Sequence, residues 1–424
     1  MSTNEEASTN GYKYGQPNAI GANLRADIPV FFDLHAANLN DKPPVTLFTG
    51  QPGSGKTFGM LWILSLAALQ GAAVVGIDWK GDLLKIINIE DTLGVPCNIK
   101  TIDPSDPNNV GILDPFVIFD NAEKPEDAKA DIRNAVHAMM HAIVPDALSD
   151  NAVRPWVEAT ITDVIKSRPH DKSMDVFLNM LIKVASDTGN EQLKGIALTL
   201  INTLSEGAGV TLLSEPDRKP ARYFKFAPGV TVIDLSRLNE LPKTIVDLKD
   251  PSKAVGQAIL TMITLLVRQS MSRMPKNIKK VVAIDEAWSI IANQSGANLI
   301  KSTALLGRSN NLALVLGTQS YAHIFNASTG LDVSLISTHF AFANSRDDAK
   351  VGARAMGLKT DEKELSDDAR QVIDAIANLP GKGSCIMQDM RKRRGYVQIV
   401  VWLPSLVKAF SSNPYDEAHQ QQIT

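Results

Sequence analysis

Two hydrophobic patterns alternate along the chain, and together they predict its architecture. Short, continuous apolar runs are typical of parallel strands that are buried on both faces. Such runs occur at 28–34, 43–50, 72–78, 98–103, 229–235, 279–288, 311–320 and 338–345. Longer apolar stretches with helical spacing, such as 252–271, separate several of these runs. Strands that alternate with helices predict an α/β fold with a mostly parallel central sheet.

The middle of the chain has a different pattern, in which helical periodicity dominates and strand patterns are nearly absent. Its clearest helical segments lie at 128–144 and 191–206. A stretch of about ninety residues is long enough to form a small domain. We therefore predict a core at 21–120 and 214–410, an all-helical inserted subdomain at 121–213, and tails at 1–20 and 411–424.

Two more segments have a pattern that can be interpreted. The segment 383–403 predicts a β-hairpin that turns at the basic residues 391–394. The apolar segment Met60–Ile77 is long enough to suggest a membrane span, but Gln70 and Gly71 interrupt it and basic flanks are absent. We interpret it as a buried helix, a turn and a buried strand, and predict no transmembrane segment.

Composition narrows the possible classes of protein. The chain has 424 residues and a formal net charge of −3, so a nucleic-acid contact would require a local basic patch. Its two cysteines are too few for a disulfide framework or a cysteine-rich zinc site, and they suit a reducing, cytoplasmic compartment. The polar N-terminus lacks the apolar segment of a signal peptide, so we expect a loose tail there.

A glycine-rich loop carries the strongest chemical prediction. It fits the pattern G-x-x-x-x-G-K-[ST] between a predicted strand and a predicted helix, the context that a phosphate-binding loop (P-loop) requires. Its N–H groups would bind phosphate, Lys56 would reach the β- and γ-phosphates, and Thr57 would hold Mg²⁺. The alternative is a glycine-rich turn with an exposed lysine. The predicted nucleotide-binding residues are Gly50, Gln51, Pro52, Gly53, Ser54, Gly55, Lys56, Thr57 and Phe58.

Polar residues at the ends of two later strands predict the catalytic groups. Asp285 and Glu286 end an apolar run, where unpaired carboxylates would be costly, so we interpret Asp285 as a ligand of Mg²⁺ and Glu286 as the group that polarises water. The alternative is that both acids cap the next helix, in which Trp288 is predicted to pack. Gln319 faces the same crevice and is predicted to sense the γ-phosphate or orient the water; otherwise it is a solvated loop residue.

An arginine often completes such a site from a neighbouring subunit and increases the hydrolysis rate by about 10³–10⁵. Arg308, just before the 311–320 strand, is the first candidate, Arg346 is the second and Arg354 the third. The alternative for each is a surface or ion-paired arginine.

These motifs together resemble a known family. The segments GQPGSGKT, DWKGDLLK, GILDPF, VTVIDLSRL, DEAW, GRSNNLALVLGTQS and GSCIMQDMRKRRGYVQIVVWLP occur in the order seen in the conjugative type IV secretion ATPases. That family lies within the FtsK–HerA group of P-loop translocation motors. The predicted helical insert also resembles the all-alpha subdomain of the family, and the resemblance implies a RecA-like core.

The resemblance implies roles for the candidate residues. Lys56 and Thr57 match the Walker-A pair, and Asp285 and Glu286 match the Walker-B pair. Gln319 matches the sensor. Arg308 matches the arginine that acts in trans.

The resemblance also implies an activity and its partners. The activity is Mg-ATP hydrolysis at the subunit interfaces of a ring, commonly a hexamer, to move DNA or protein. The partners are further copies of the chain and components of the secretion or conjugation machinery. The expected location is the cytoplasm, peripheral to the inner face of the membrane through those partners.

Two other functions remain open from the residues alone. One is a DNA pump of the FtsK–HerA type, and the other is an ATP-gated assembly scaffold with little turnover. Basic patches lie at 273–280 and 391–394. The second is a candidate for contact with a phosphate backbone, but a solvated turn is the more common role of such a run.

Overall fold

The computed structural model describes most of the chain. The described residues are 18–23, 28–78, 80–120, 125–168, 171–214, 224–239, 253–291, 294–325, 331–361 and 365–411. They form two compact units. The described residues of the first lie within Met1–Lys100, Phe226–Asp234 and Met271–Thr424, and those of the second lie within Thr101–Lys225 and Leu235–Ser270.

Eleven strands in the described part of the chain form one sheet. They are β1 (Asn18–Asn23), β2 (Pro29–Phe32), β3 (Val45–Thr49), β4 (Ala73–Asp78), β5 (Cys97–Thr101), β6 (Gly229–Asp234), β7 (Lys280–Ile284), β8 (Leu312–Thr318), β9 (Thr338–Phe342), β10 (Ser384–Gln388) and β11 (Arg394–Ile399). Their order across the sheet is β2-β1-β11-β10-β9-β3-β8-β7-β4-β6-β5.

The sheet has a parallel part and an antiparallel part. The six neighbouring strands from β9 to β6 run parallel to one another. At one end of these six, β10, β11, β1 and β2 continue the sheet in antiparallel pairs. The predicted mostly parallel α/β core and the predicted terminal hairpin, which is β10 and β11, are therefore confirmed.

Thirteen α-helices occur in the described residues. They are α1 (Lys56–Leu69), α2 (Ile89–Leu93), α3 (Pro115–Ile118), α4 (Pro125–Ile143), α5 (Arg154–Lys166), α6 (Met174–Thr188), α7 (Glu191–Leu204), α8 (Ala254–Arg273), α9 (Trp288–Ile291), α10 (Gln294–Asn310), α11 (Arg346–Ala355), α12 (Asp367–Ala377) and α13 (Pro404–Phe410). The predicted insert, 121–213, lies within the second compact unit, whose described elements are helical. The exact domain boundaries stay a prediction.

The strands in the middle of the sheet are apolar because both of their faces are covered. Every residue of β3, β4, β7 and β8 is buried. Helix α1 is also buried along most of its length and packs into the same core cluster. The interpretation of Met60–Ile77 as a helix, a turn and a strand is therefore confirmed, since this segment forms most of α1 and nearly all of β4.

The apolar pattern does not predict strand β1, because its sequence, NAIGAN, is short and half polar. Within it, Gly21 pairs with Ile399 of β11. A Cβ atom at Gly21 would lie 1.9 Å from the carbonyl oxygen of Gln398, so the two backbones approach each other at a distance that only glycine permits.

One described helix, α8, is long and apolar enough to cross a membrane by length and composition. Of its apolar 18-residue window, 72% is buried inside the protein. A buried core helix meets the same criteria, so α8 is weak evidence for a membrane span.

Capping residues fix the ends of the helices in the second unit. At the start of α6 the Ser173 hydroxyl accepts a hydrogen bond from the Val176 N–H at 3.2 Å, and the helix ends at Gly189 with a φ of 65°. One face of α6 is buried at positions spaced by three and four residues, which is the pattern of an amphipathic helix. The buried residues are Met174, Phe177, Leu178, Leu181 and Ala185.

Asp114 joins three segments of the second unit. Its carboxylate is fully buried and accepts hydrogen bonds from the N–H groups of Phe116, Met174 and Ser214, at 2.8, 2.7 and 3.2 Å. The Ser214 hydroxyl donates a further bond. Burial raises the pKa of Asp114 to about 6, although these hydrogen bonds act in the opposite direction.

We expect Asp114 to make stability depend on pH. Because the pKa of Asp114 is higher in the folded chain than its usual 3.8, its contribution is fully present at low pH and is lost as the pH rises through about 6. A pKa shift of about two units corresponds to about 3 kcal/mol in the free energy of unfolding. The stability difference between wild type and Asp114→Asn, which does not ionise, should therefore change by up to about 3 kcal/mol between pH 4 and 7. A difference in the free energy of unfolding between the two proteins that stays constant from pH 4 to pH 7 would contradict the expectation.

Candidate functional site

The glycine-rich loop between β3 and α1 has a backbone that only glycine adopts readily. Gly53 and Gly55 have φ angles of 80° and 96°. A Cβ atom at Gly55 would lie 2.5 Å from the backbone nitrogen of Gly383, so these two glycines meet backbone to backbone. The N–H of Gly383 also donates a hydrogen bond of 2.9 Å to the carbonyl of Ser54. The loop is thereby fixed against the start of β10.

The beginning of the same loop is held by two neighbouring strand ends. The N–H of Gly50 donates to the carbonyl of Thr318, the last residue of β8, at 3.3 Å. The N–H of Gln51 donates to the carbonyl of Ala343, directly after β9, at 3.0 Å. Because β8 and β9 flank β3 in the parallel sheet, the P-loop lies at the carboxyl edge of the sheet.

The loop fits a phosphate chain by the chemistry of its donors. Helix α1 begins after Gly55 without a side-chain cap, so its first N–H groups are suited to bind an anion. The Ser54 hydroxyl is buried and has no hydrogen-bond partner among the described residues. Phosphate oxygens would satisfy all of these donors. Phe58, one turn into α1, contacts Phe410 with a ring-centroid distance of 6.2 Å.

Lys56 and Asp285 form a buried ion pair between α1 and the end of β7. The Lys56 Nζ atom lies 2.7 Å from Asp285 Oδ1, and their side chains are 8% and 3% exposed. Burial lowers the pKa of Lys56, but the carboxylates of Asp285 and Glu286 raise it by more, so the pKa lies above its usual value. Lys56 is therefore a fixed positive charge beside both acids.

Glu286 is held by three donors in a buried position. Its Oε1 atom accepts hydrogen bonds from Lys80 Nζ at 2.7 Å and from Gln319 Nε2 at 2.8 Å. Its Oε2 atom accepts a bond of 2.9 Å from the indole N–H of Trp288. The structure thus brings Glu286 and Gln319 together, and Trp288 makes a polar contact in addition to packing.

The turn after β7 directs both acids to this edge. Glu286 has a φ of 56°, which is uncommon for a residue with a side chain, and the Ala287 N–H donates to the Gly317 carbonyl at 2.7 Å. A Cβ atom at Gly317 would lie 2.6 Å from Asp285 Oδ1 and 2.9 Å from the sulfur of Met60. A larger residue in β8 would therefore displace the Asp285 carboxylate.

The loop after β4 belongs to the same site, although no site role is predicted for its residues from the sequence. Asp78 is fully buried and accepts hydrogen bonds from the N–H groups of Lys80, Gly81 and Leu83, at 3.1, 2.9 and 2.7 Å. Burial, with a smaller effect of nearby Asp285, raises the pKa of Asp78 to about 6. Asp78 shapes the loop that carries Lys80 toward Glu286.

The missed contact of Lys80 had a signal in the sequence. The segment DWKGDLLK follows a predicted strand directly, so its polar residues had to lie at one end of the sheet. The partner of Lys80 depends on the strand order, because β4 lies beside β7 only in the folded sheet.

The candidate arginines do not contact the P-loop in the structure. Arg308 pairs with Asp41 at 2.7 Å and lies at the end of α10, before the amino end of β8. That is the edge opposite to the P-loop, and β8 spans about 20 Å. Arg346 follows β9 at the carboxyl edge and pairs with Asp374 at 2.7 Å. Arg354 is exposed near the end of α11.

The basic turn of the terminal hairpin is partly neutralised. Arg393 pairs with Asp389 at 2.7 Å, and Arg394 donates to the Gln388 side chain at 2.6 Å. The remaining charges of the 391–394 patch are exposed. Direct nucleic-acid contact stays a prediction.

Comparison with known structures identifies the fold. VirB4 of Thermoanaerobacter pseudethanolicus aligns with a TM-score of 0.66 at 16% identity, over 94% of this chain and 100% of that one. The plasmid coupling protein TrwB, in complex with the non-hydrolysable ATP analogue ADPNP, aligns with a TM-score of 0.50 at 14% identity, over 96% and 95% of the two chains. A comparison with curated protein sequences finds no significant match.

A family model described as "AAA-like domain" matches residues 35–410, which is nearly the whole chain. The predicted resemblance to the secretion ATPases is confirmed at the level of the fold by VirB4. The P-loop, the Asp285–Glu286 turn and Gln319 all lie within the matched region. The chain therefore belongs to the AAA-like domain family.

Proposed function

We propose that the chain is a Mg-ATP-hydrolysing motor ATPase that powers the translocation of DNA or protein in conjugative or type IV secretion. One observation carries the proposal. Lys56, Asp285, Glu286 and Gln319 come from three separate segments and make direct contacts at one edge of the sheet. The solved structures of similar fold support it, since one is VirB4 and another is a coupling protein in complex with an ATP analogue.

The P-loop would bind the phosphates of ATP. The N–H groups of Gly53, Gly55, Lys56 and Thr57 and the Ser54 hydroxyl would donate to phosphate oxygens. The Lys56 ammonium, already fixed beside Asp285, would face the β- and γ-phosphates. Gln51, Pro52 and Phe58 would line the same crevice from the two ends of the loop, and Gly50 fixes its first turn.

A magnesium ion would be held by Thr57 and Asp285. In the described ranges no cluster of three or more His, Cys, Asp and Glu side chains forms a metal site. This fits Mg²⁺, which usually takes one or two protein ligands together with water and substrate phosphates. When bound, Mg²⁺ supplies positive charge to the β- and γ-phosphate oxygens.

Glu286 would act as the base in hydrolysis. A water molecule oriented by Glu286 and Gln319 attacks the γ-phosphorus, and the bond from that phosphorus to the oxygen bridging to the β-phosphate breaks. The Glu286 carboxylate takes the proton of the water, so the products are ADP and inorganic phosphate. Lys56 stabilises the negative charge that develops on the phosphate oxygens.

A ring is the assembly that fits the candidate arginines. An arginine that acts on the site of a neighbouring subunit need not lie at its own P-loop, and Arg308 does not. We propose Arg308 as the trans arginine, with Arg346 and Arg354 as the other candidates. Activity of mixed assemblies that contain Arg308→Ala subunits, compared with mixtures that contain Arg346→Ala or Arg354→Ala, would identify the residue.

Binding of Mg-ATP is expected to stabilise the protein against heat. Ligand at 100 times its dissociation constant adds about 2.7 kcal/mol to the free energy of unfolding. We therefore expect the melting temperature to rise by several degrees in saturating Mg-ATP. We also expect the rate of ATP hydrolysis to increase cooperatively with protein concentration as larger particles form. An unchanged melting temperature would contradict the proposed nucleotide site. ATP turnover that stays negligible in assembled particles would favour an assembly scaffold over a motor.

The cargo class is tested by the same assay with DNA. Hydrolysis rates measured with and without single-stranded and double-stranded DNA, at low and high salt, compare a DNA pump with a protein-secreting ATPase. Strong, salt-sensitive stimulation would support the pump, because phosphate contacts weaken as salt rises. Rates that do not respond to DNA would support protein cargo.

A further inference from the structure

We propose that Lys80 is a positioning residue for the catalytic base, holding Glu286 in the orientation that activates water. This inference rests on the proposed ATPase function and adds a residue to it. Lys80 lies in the loop after β4, next to the turn that carries Glu286 at the end of β7, because these two strands are neighbours in the sheet. The Lys80 side chain is 38% exposed, but its ammonium reaches Glu286 Oε1 at 2.7 Å.

The hydrogen bonds of Glu286 leave one position for a water molecule. An ionised carboxylate offers about four lone-pair sites, two on each oxygen. Lys80 and Gln319 occupy both sites on Oε1, and Trp288 occupies one site on Oε2. The remaining site on Oε2 is the one that can accept a proton. The three donors therefore decide which oxygen acts as the base and where it points.

The charges of the site also require a second lysine. The adjacent carboxylates of Asp285 and Glu286 are each 3% exposed, and two buried negative charges side by side are unfavourable without cations. Lys56 contacts Asp285 and Lys80 contacts Glu286, so each carboxylate has one ammonium at 2.7 Å. Without Lys80 the Glu286 side chain would lose its only described ion pair and would be held only by its hydrogen bonds to Gln319 and Trp288.

Lys80 is fixed by its own loop, which is what a positioning residue requires. The buried Asp78 carboxylate accepts hydrogen bonds from the N–H groups of Lys80, Gly81 and Leu83. The loop backbone is therefore ordered independently of the Lys80 side chain. Substitution of that side chain should leave the loop in place.

The experiment measures the steady-state kinetics of Lys80→Met, which keeps the length of the side chain and removes its charge. Misplacement of a catalytic group by about 1 Å lowers rates by about 10²-fold. We expect kcat to fall by about 10- to 100-fold with KM nearly unchanged, and Lys80→Arg to restore much of the loss. The matched control is Lys85→Met. Lys85 lies in the same segment as Lys80, and its ammonium donates a hydrogen bond to the Ser411 carbonyl. The control variant should have wild-type kinetics.

A second readout does not depend on hydrolysis. Melting temperatures without nucleotide are compared for wild type, Lys80→Met, Glu286→Gln and the double variant. If the pair couples, Lys80→Met should lower the melting temperature by a few degrees in wild type and by clearly less in the Glu286→Gln background. Additive shifts would show that the two side chains do not interact.

The outcomes separate this inference from the proposed function. If wild type hydrolyses ATP and Lys80→Met has an unchanged or higher kcat, Lys80 does not position the base, although the chain is still an ATPase. If kcat and KM both change as in a misfolded protein and arginine gives no rescue, a purely structural role replaces the proposal. If assembled wild type does not hydrolyse ATP, the proposed function fails, and the positioning role of Lys80 fails with it.

Discussion

Replacement of Glu286 by glutamine is expected to lower the rate of ATP hydrolysis by about 10²–10⁴-fold while leaving ATP binding almost unchanged. An amide cannot take the proton from water, but it keeps the size of the side chain, and Lys56 keeps its ion pair with Asp285. Single-turnover hydrolysis with radiolabelled ATP, together with calorimetric binding of the non-hydrolysable analogue ADPNP, checks both parts of the expectation.

A measurement of stability and a control variant distinguish loss of catalysis from a folding defect. The glutamine amide would direct N–H groups toward the Trp288 indole N–H, so a small loss of stability is expected and should be measured by thermal unfolding. Glu90→Gln is a matched control, because Glu90 is exposed and lies away from the P-loop at the start of α2. Hydrolysis close to wild type in Glu286→Gln would remove Glu286 from the role of base.

Replacement of Lys56 by alanine is expected to weaken the binding of Mg-ATP strongly. The substitution removes the ammonium from the phosphate site and leaves the buried Asp285 carboxylate without its partner. Loss of one member of a charged pair across a binding interface, here Lys56 with the phosphates, costs about 2–5 kcal/mol, so the affinity for Mg-ATP should fall by at least about 30-fold. Calorimetric titration with Mg-ADPNP measures the change in affinity.

The fold should also lose stability in Lys56→Ala, by about 3–5 kcal/mol, because Asp285 keeps an uncompensated charge in a buried position. The double variant Lys56→Ala with Asp285→Asn should recover part of that stability without recovering nucleotide binding. Lys129→Ala is the control for removal of a lysine from an exposed ion pair, and it should change neither quantity. Normal binding by Lys56→Ala would overturn the P-loop assignment.

Most of the parallel part of the fold could be predicted from the sequence, because strands that are buried on both faces are short, continuous apolar runs. The run Ala72–Asp78 is apolar up to its final aspartate, and the structure ends β4 at that aspartate. Strand β1 escaped prediction for the opposite reason. It lies in the antiparallel end of the sheet, where one short pairing with β11 around Gly21 replaces burial of a long apolar run.

The candidate site was predictable as far as each residue follows its own strand. Asp285, Glu286 and Gln319 each stand directly after an apolar run, and Lys56 follows one at the end of the glycine-rich loop. A parallel sheet therefore brings them to one edge without knowledge of the strand order. Lys80 also follows a strand, but its partner is set by the adjacency of β4 and β7, which no local pattern contains.

The backbone contact between Gly55 and Gly383 has a mechanical consequence. A Cβ atom fits at neither position without displacing the other segment or a neighbouring side chain, and the Gly383 N–H donates to the Ser54 carbonyl, so the glycine-rich loop and the start of β10 are in direct backbone contact. If the loop binds the phosphates as proposed, we expect a movement of residues 53–57 on loss of the terminal phosphate to reach a hairpin about 330 positions further along the chain. The exposed basic residues Arg391 and Lys392, at the turn of that hairpin, would then move with it.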